Sequence, residues 1–172
     1  MGFFDGATIS TDLNFIIPDA TLYHFGILTS SVHMAWMRAV CGRLKSDYRY
    51  SKDIVYNNFP FVLPRDSSVA QLPQDDKKGC HSDPCRGKDF LHCTAAQASK
   101  IEKTAQAILD VRAKYPDSSL ADLYDELTMP ADLRRAHAEN DRAVMEAYGF
   151  APKMTEDEIV AELFKMYGEL TK

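Results

Sequence analysis

The sequence lacks any apolar run long enough to cross a membrane. A membrane-spanning helix needs about 20 consecutive apolar residues, and every apolar stretch of this 172-residue chain is interrupted by polar or charged residues well before that length. The opening residues, Met1-Gly2-Phe3-Phe4-Asp5, also lack the basic head and apolar stretch of a signal peptide. We therefore expect a cytoplasmic protein without a membrane partner.

Cysteine is scarce, with four residues at irregular positions. Such a set does not form the disulfide framework of a small secreted domain. Three of the cysteines lie near two histidines, which gives the sequence-local group Cys80, His81, Cys85, His92 and Cys93. This group lacks the tight pair of ligands that opens a structural zinc site. We predict an exposed loop without a metal and keep a zinc module as a third alternative.

Motifs of complete active sites are also missing. No two glycines have the G-x-G spacing of a nucleotide-binding loop, and no two prolines are adjacent, as they are in the loop that holds a flipped adenine in amino-methyltransferases. The chain contains no G-x-S-x-G, no H-E-x-x-H and no P-loop. The run from Asp75 to Lys78 contains D-x-K in a proline-bounded loop and is interpreted as a solvated charge cluster. We expect no catalytic residue in this chain.

Positive charge is concentrated in one short window, although the whole chain has a net charge of −5. Between positions 38 and 52 five cations are accompanied by a single carboxylate, Asp47, and by two tyrosines. Such a mixture suits a phosphate backbone, because cations displace counterions while hydroxyls add neutral hydrogen bonds. A solvated helix end would give the same pattern. The predicted DNA-binding residues are Arg38, Arg43, Lys45, Tyr48, Arg49, Tyr50 and Lys52.

The first half of the chain changes period several times. Residues 7–17 are β-branched and aromatic and predict one or two short strands, a remnant of a larger sheet. From position 18 the apolar period is helical, with Asp19 as a candidate N-cap, Ser30 or Ser31 restarting a second helix, and Gly42 closing it. We expect a helical pair, then an extended basic segment to residue 60, then a linker or insertion loop over 61–98.

The last third has the pattern of about four helices. Ser99 with Glu102 and Thr155 with Glu158 match the capping box. Asp117-Ser118 and Pro130 suit the starts of two further helices, and Gly149 suits a helix end. The predicted fold is therefore mainly α, with a short N-terminal β remnant, a helical pair, a long loop and an antiparallel helical bundle over 99–172.

Several ordered blocks resemble the C-terminal region of MmeI-like adenine-specific DNA methyltransferases, which are type IIL restriction-modification proteins. The first blocks are residues 18–30, 33–36, 42–44 and 49–51, followed by Tyr56-Asn57-Asn58-Phe59-Pro60. The resemblance continues through residues 100–105, 115–124, 140–144 and 147–150. In the family, a short proline-rich linker joins Asn-Phe-Pro to the next helix. Here the corresponding segment, residues 61–97, is long and contains cysteine.

The resemblance implies a role in DNA modification. In such enzymes the methyltransferase core lies upstream, so S-adenosylmethionine is implied as the cofactor of a parent enzyme that methylates adenine N6, and no cofactor is expected in this chain. Residues 1–17 resemble the end of the target recognition region. We therefore expect a DNA-contacting fragment whose partners are double-stranded DNA and the missing methyltransferase portion. The alternative is a helical module that docks to another subunit without touching DNA.

Overall fold

A computed structural model describes residues 1–4, 14–45, 47–64, 92–125 and 127–172. The described residues are mainly helical, as the sequence predicts, and six α-helices are found among them. The helices are α1 (Leu22–Leu28), α2 (Ser31–Val40), α3 (Ala95–Arg112), α4 (Leu120–Leu123), α5 (Ala131–Ala147) and α6 (Glu156–Leu170). No helix in these ranges is both long and apolar enough to cross a membrane.

The helical pair of the first half forms, with corrected ends. Thr21, and not Asp19, is the N-cap of α1, and Asp19 lies in a preceding turn with φ 53°. Ser30 caps α2 by accepting a hydrogen bond from the His33 N–H, as predicted. Gly42 does not close α2 in a left-handed conformation, because the chain becomes extended at Cys41 and passes directly into a strand.

The helix starts of the second half follow capping chemistry. Thr155 and Glu158 form the predicted capping box of α6, and Gly149 ends α5 with φ 70°. The predicted start of α3 at Ser99 is wrong, because Thr94 with Gln97 forms the capping box and the helix begins at Ala95. The α4 cap is likewise Ser119 with Asp122, and not Asp117-Ser118. Each side-chain oxygen satisfies an N–H that the first helical turn leaves unpaired.

Two small sheets are present among the described residues. Strands β1 (Gly42–Leu44) and β2 (Asp47–Arg49) are antiparallel, and β3 (Leu63–Pro64) pairs in parallel with β4 (His92–Cys93). The prediction of strands at 7–17 falls mostly outside the described residues, which exclude 5–13, and the described residues 14–17 form no strand. The basic segment is extended through β2, but Lys52–Tyr56 then forms a π-helical turn.

The helices of the two halves share one core. Helix α3 packs between α1 and α5, while α6 packs mainly on α2. The C-terminal helices that the sequence predicts are therefore present, and they pack on α1 and α2 of the first half as well as on each other. Gly26 lets α1 approach α3 closely, because a Cβ at this position would lie 2.6 Å from the Ile101 side chain.

Buried side chains hold the π-helical turn and the segment that follows it against these helices. The Trp36 indole N–H donates to the Val55 carbonyl at 3.0 Å. The Tyr23 hydroxyl donates to the Val62 carbonyl at 2.5 Å, and the Tyr148 hydroxyl donates to the Pro60 carbonyl at 3.1 Å. Because α1, α2 and α5 each bind this segment, the end of the first half is part of the core and not a surface linker.

Candidate nucleic-acid interface

The basic window predicted from the sequence contains an exposed β-hairpin. The basic hairpin comprises β1, β2 and the turn between them, residues 42–49. Leu44 pairs with Asp47, and Lys45 begins the turn. Its φ of 59° lies in the left-handed region that tight hairpin turns require. Every described residue of the hairpin is exposed. Its cations are therefore accessible to a ligand.

The register distributes the cations of the hairpin over both of its faces. Arg43 lies opposite Tyr48, so these side chains share one face, while Arg49 lies on the other face, as side chains alternate along a strand. Lys45 is at the tip. None of the three cations forms an ion pair with a carboxylate of the described residues. This distribution allows the ribbon to meet phosphates from more than one side.

Arg43 and Tyr48 form an ordered pair on one face. The Arg43 guanidinium carbon lies 4.4 Å from the centre of the Tyr48 ring, and a guanidinium nitrogen donates to the Tyr48 hydroxyl at 3.1 Å. A cation over an aromatic face is attracted by the ring quadrupole. The contact restricts a long side chain before any ligand binds, and it leaves the other guanidinium donors available.

Arg38 is held differently from the hairpin cations. Two of its nitrogens donate to the two carboxylate oxygens of Glu156, at 2.7 and 2.9 Å. These hydrogen bonds raise the pKa of Arg38 and lower the pKa of Glu156. Glu156 begins α6, so this exposed pair joins α6 to α2 at the protein surface. Contact of Arg38 with phosphate would require exchange of this carboxylate.

Tyr50 and Lys52 lie at the base of the hairpin. Both are half-buried, and Lys52 begins the π-helical turn. The Tyr50 hydroxyl lies 3.1 Å from His33 Nε2, and burial raises the pKa of Tyr50. The structure thus brings Arg43, Lys45, Tyr48 and Arg49 together on the hairpin and places Arg38, Tyr50 and Lys52 around its base.

His33 is the residue near this site that the sequence pattern did not single out. A histidine on a helical pattern, such as His24, His33 or His137, is more often at a core edge or the surface than in a functional site. The structure buries His33 completely, and burial lowers its pKa to about 4. Its proximity in sequence to Trp36, on an otherwise apolar helix face, is the signal that could have identified it.

A second polar cluster lies far from the hairpin in sequence. Arg112 donates to the Tyr124 hydroxyl, which lies 2.6 Å from His137 Nε2. These three residues line a groove of about 410 Å³ whose remaining lining is largely apolar and includes Met34 and Met129. Burial, followed by the charge of Arg112, lowers the pKa of His137 to about 4.

The cysteine-bearing group is only partly described. Cys80, His81 and Cys85 lie outside the described residues, while Cys93 is buried with its sulfur 3.4 Å from the Tyr23 hydroxyl. The run from Asp75 to Lys78 is also outside them. Within the ranges that the structure describes, no group of three or more histidine, cysteine or acidic side chains is close enough to hold a metal.

Two family models match the chain. The model "MmeI, target recognition domain" matches residues 1–63, and the model "MmeI, C-terminal domain" matches residues 93–172. The recognition-domain match extends well beyond residue 17, the end predicted for that region from the resemblance, and it includes the helical pair and the basic hairpin. The long segment between β3 and β4 falls between the two matches.

Individual relatives agree with the family models. DNA methyltransferase A of Bacillus subtilis (strain 168) is 34% identical over 172 residues, which are all of this chain and 16% of the relative. The solved structure of the type IIL restriction-modification enzyme MmeI in complex with DNA superposes with a TM-score of 0.70 at 39% identity. That match covers 90% of this chain and 17% of the solved one. The chain thus spans about a sixth of the length of either relative.

Proposed function

The chain belongs to the MmeI family, and on that premise we propose that it contacts double-stranded DNA through the basic hairpin as the C-terminal part of a site-specific DNA methyltransferase. The observation that carries the proposal is the hairpin itself, an exposed two-stranded ribbon with cations on both faces and at its tip, none of them ion-paired with a described carboxylate. A ribbon of two strands has a size that the major groove of B-DNA admits. The match to a protein solved with DNA supports the same ligand.

The residues have distinct roles in this proposal. Arg43, Lys45 and Arg49 neutralise phosphates, and Tyr48 orders Arg43 and offers its hydroxyl. Arg38 is neutralised by Glu156 and would join the phosphate contact only by exchanging this carboxylate. The helices behind the hairpin supply a rigid platform, which limits the entropy that is lost when the cations bind.

The chemistry of methylation is assigned to the rest of the parent protein. In this proposal S-adenosylmethionine binds in a methyltransferase core outside this chain, and the acceptor is adenine N6. An adenine must leave the base stack to reach such a core. The role of the hairpin is to hold the duplex in register while the base is extruded, since phosphate contacts fix the orientation of the protein on DNA without reading sequence.

A binding titration with a fluorescently labelled DNA duplex tests the DNA contact. The test variant carries Arg43→Ala, Lys45→Ala and Arg49→Ala, and we expect it to bind at least about tenfold more weakly than the wild type near 100 mM salt. The matched control carries Lys103→Ala, Arg135→Ala and Arg142→Ala, which remove three exposed cations of α3 and α5 and change the net charge equally.

The two triple variants separate a local contact from general charge attraction. Weakened binding in the hairpin variant with near wild-type binding in the control supports the proposal. Equal affinities in all three proteins would contradict it and would favour the alternative, in which the helices dock to another subunit. Circular dichroism of each variant verifies that the helices remain folded.

A further inference from the structure

The basic hairpin has few attachments to the rest of the molecule. Its described residues are all exposed, so its orientation depends on the residues at its two ends. At one end Cys41 packs at the edge of the core, and at the other end Tyr50 does the same. The direction of the hairpin is therefore set at these two positions.

Tyr50 is the better defined of the two attachments. Its ring lies between the exposed Phe15, at 6.0 Å between ring centres, and the buried His33, also at 6.0 Å. Its hydroxyl reaches His33 Nε2 at 3.1 Å. Tyr50 directly follows β2, so this hydrogen bond joins the second strand of the hairpin to helix α2.

His33 is itself firmly placed. Its ring packs edge-on against Phe59 with 4.7 Å between ring centres, and its backbone N–H bonds to the Ser30 cap of α2. Its other ring nitrogen, Nδ1, is buried and has no hydrogen-bond partner among the described residues. Within the described part of the chain, Tyr50 is therefore the one group that forms a hydrogen bond with the His33 ring, and a buried histidine with this single contact fits a positioning role.

We propose that the buried His33–Tyr50 hydrogen bond fixes the basic hairpin in the orientation in which it meets DNA, which makes both side chains positioning residues for the DNA contact. This inference rests on the proposed function of the hairpin. The hydrogen bond acts through Arg43, Lys45 and Arg49 and does not itself touch DNA. Without it, the hairpin would sample several orientations, and binding would have to select one of them.

The chain offers a matched pair of variants for the test. Tyr50→Phe removes one hydroxyl and keeps the ring between Phe15 and His33. Tyr124→Phe also removes a tyrosine hydroxyl bonded to a histidine nitrogen, His137 Nε2, but does so at the groove formed with α4 and α5. We expect Tyr50→Phe to weaken DNA binding about three- to tenfold, the range for losing one hydrogen bond, and Tyr124→Phe to leave the affinity unchanged.

A double-mutant cycle distinguishes positioning from a direct or merely structural effect. Tyr50→Phe is added to the variant that lacks Arg43, Lys45 and Arg49, and in this background it should change affinity by less than about twofold, because the groups it positions are gone. An undiminished loss in that background would overturn the proposal. So would unaltered affinity of Tyr50→Phe in the wild-type background.

Amide hydrogen exchange without DNA provides an independent readout. Loss of the anchor should speed exchange of the β1 and β2 amides while the amides of α3 and α5 keep their protection. Unchanged exchange in the hairpin would overturn the positioning role whatever the DNA result. A different outcome separates the two proposals. If removing the three cations has no effect on DNA binding while Tyr50→Phe still speeds exchange in the hairpin, the proposed DNA contact is wrong, but the His33–Tyr50 hydrogen bond still holds the hairpin in place.

Discussion

Single buried polar side chains determine how the two halves of the chain fit together. The Asn140 amide donates to the Gly26 carbonyl at 2.8 Å, and its oxygen accepts from the Thr104 hydroxyl at 3.0 Å, so one residue of α5 ties α1 to α3. Asp141 accepts from the Ser31 N–H at the start of α2, and burial raises the pKa of this carboxyl. Neighbouring residues of α5 thus hold both helices of the first half.

Burial of His33 makes the protein sensitive to mild acid. Its pKa is lowered from 6.5 to about 4 in the folded state, so between these values the unfolded chain binds the proton and the folded chain does not. His33 therefore leaves the free energy of unfolding unchanged at pH values well above 6.5 and lowers it progressively as the pH falls from 6.5 toward 4. We expect His33 to contribute a loss of about 2 kcal/mol in the free energy of unfolding between pH 7 and pH 5.

Urea unfolding at pH 7, 6 and 5 measures this contribution. His33→Gln keeps a polar side chain but removes the titration. Between pH 7 and pH 5, the free energy of unfolding of this variant should therefore fall by about 2 kcal/mol less than that of the wild type. His137 also has a lowered pKa and is present in both proteins, so the comparison isolates His33. Parallel pH profiles would mean that His33 does not titrate as its burial implies.

At the scale of elements, the closest approach of α1 and α3 depends on one glycine. A Cβ on Gly26 would lie 2.6 Å from the Ile101 side chain, 3.2 Å from the Asn140 oxygen and 3.3 Å from Ala105. We expect Gly26→Ala to destabilise the fold by about 1–3 kcal/mol, because the overpacking outweighs the gain in helix propensity. Gly168→Ala in α6 is the control, since nothing lies within 4 Å, and should stabilise by up to about 1 kcal/mol.

Chemical denaturation of the two glycine variants checks this prediction. Opposite signs for the two changes support close packing of α1 on α3. If both alanines stabilise the protein, the contact between these helices is looser than the structure indicates.

The elements differ in how far the sequence could predict them. Helices α2, α5 and α6 follow from apolar period and capping residues. The predicted start of α3 is five residues too late, because Ser99 with Glu102 matches the same capping motif as Thr94 with Gln97. The sequence predicts an extended basic segment and not a hairpin, because the turn begins with Lys45 and lacks the Asn-Gly or Asp-Gly pair that marks such turns. Charge and hydroxyl content still identified this region as the candidate DNA contact.

Across the whole molecule, one core unites the segments matched by the two family models. Trp36 in the recognition-domain match packs against Phe164 and Tyr167 of α6, with ring centres 5.0 and 6.1 Å apart. The sequence could not predict this pairing, because an apolar stripe shows that a helix face is buried but does not identify the helix that covers it. The hairpin therefore stands on a platform built from both matched segments.

A shared core predicts a single unfolding transition. Trp36 is the only tryptophan, so its fluorescence reports the α2–α6 contact, while circular dichroism reports all helices. Both signals should change at the same urea concentration. If the tryptophan signal changed at clearly lower urea than the helical signal, the two segments would be separate folding units.

The salt dependence of DNA binding tests the central claim most directly. Each phosphate contact contributes about 0.9 to the slope of log affinity against log salt concentration, so removing Arg43, Lys45 and Arg49 together should reduce that slope by about 2 to 3. The variant that lacks Lys103, Arg135 and Arg142 should keep the wild-type slope. Equal slopes for the wild type and the hairpin variant would show that the hairpin does not grip DNA phosphates and would contradict the account.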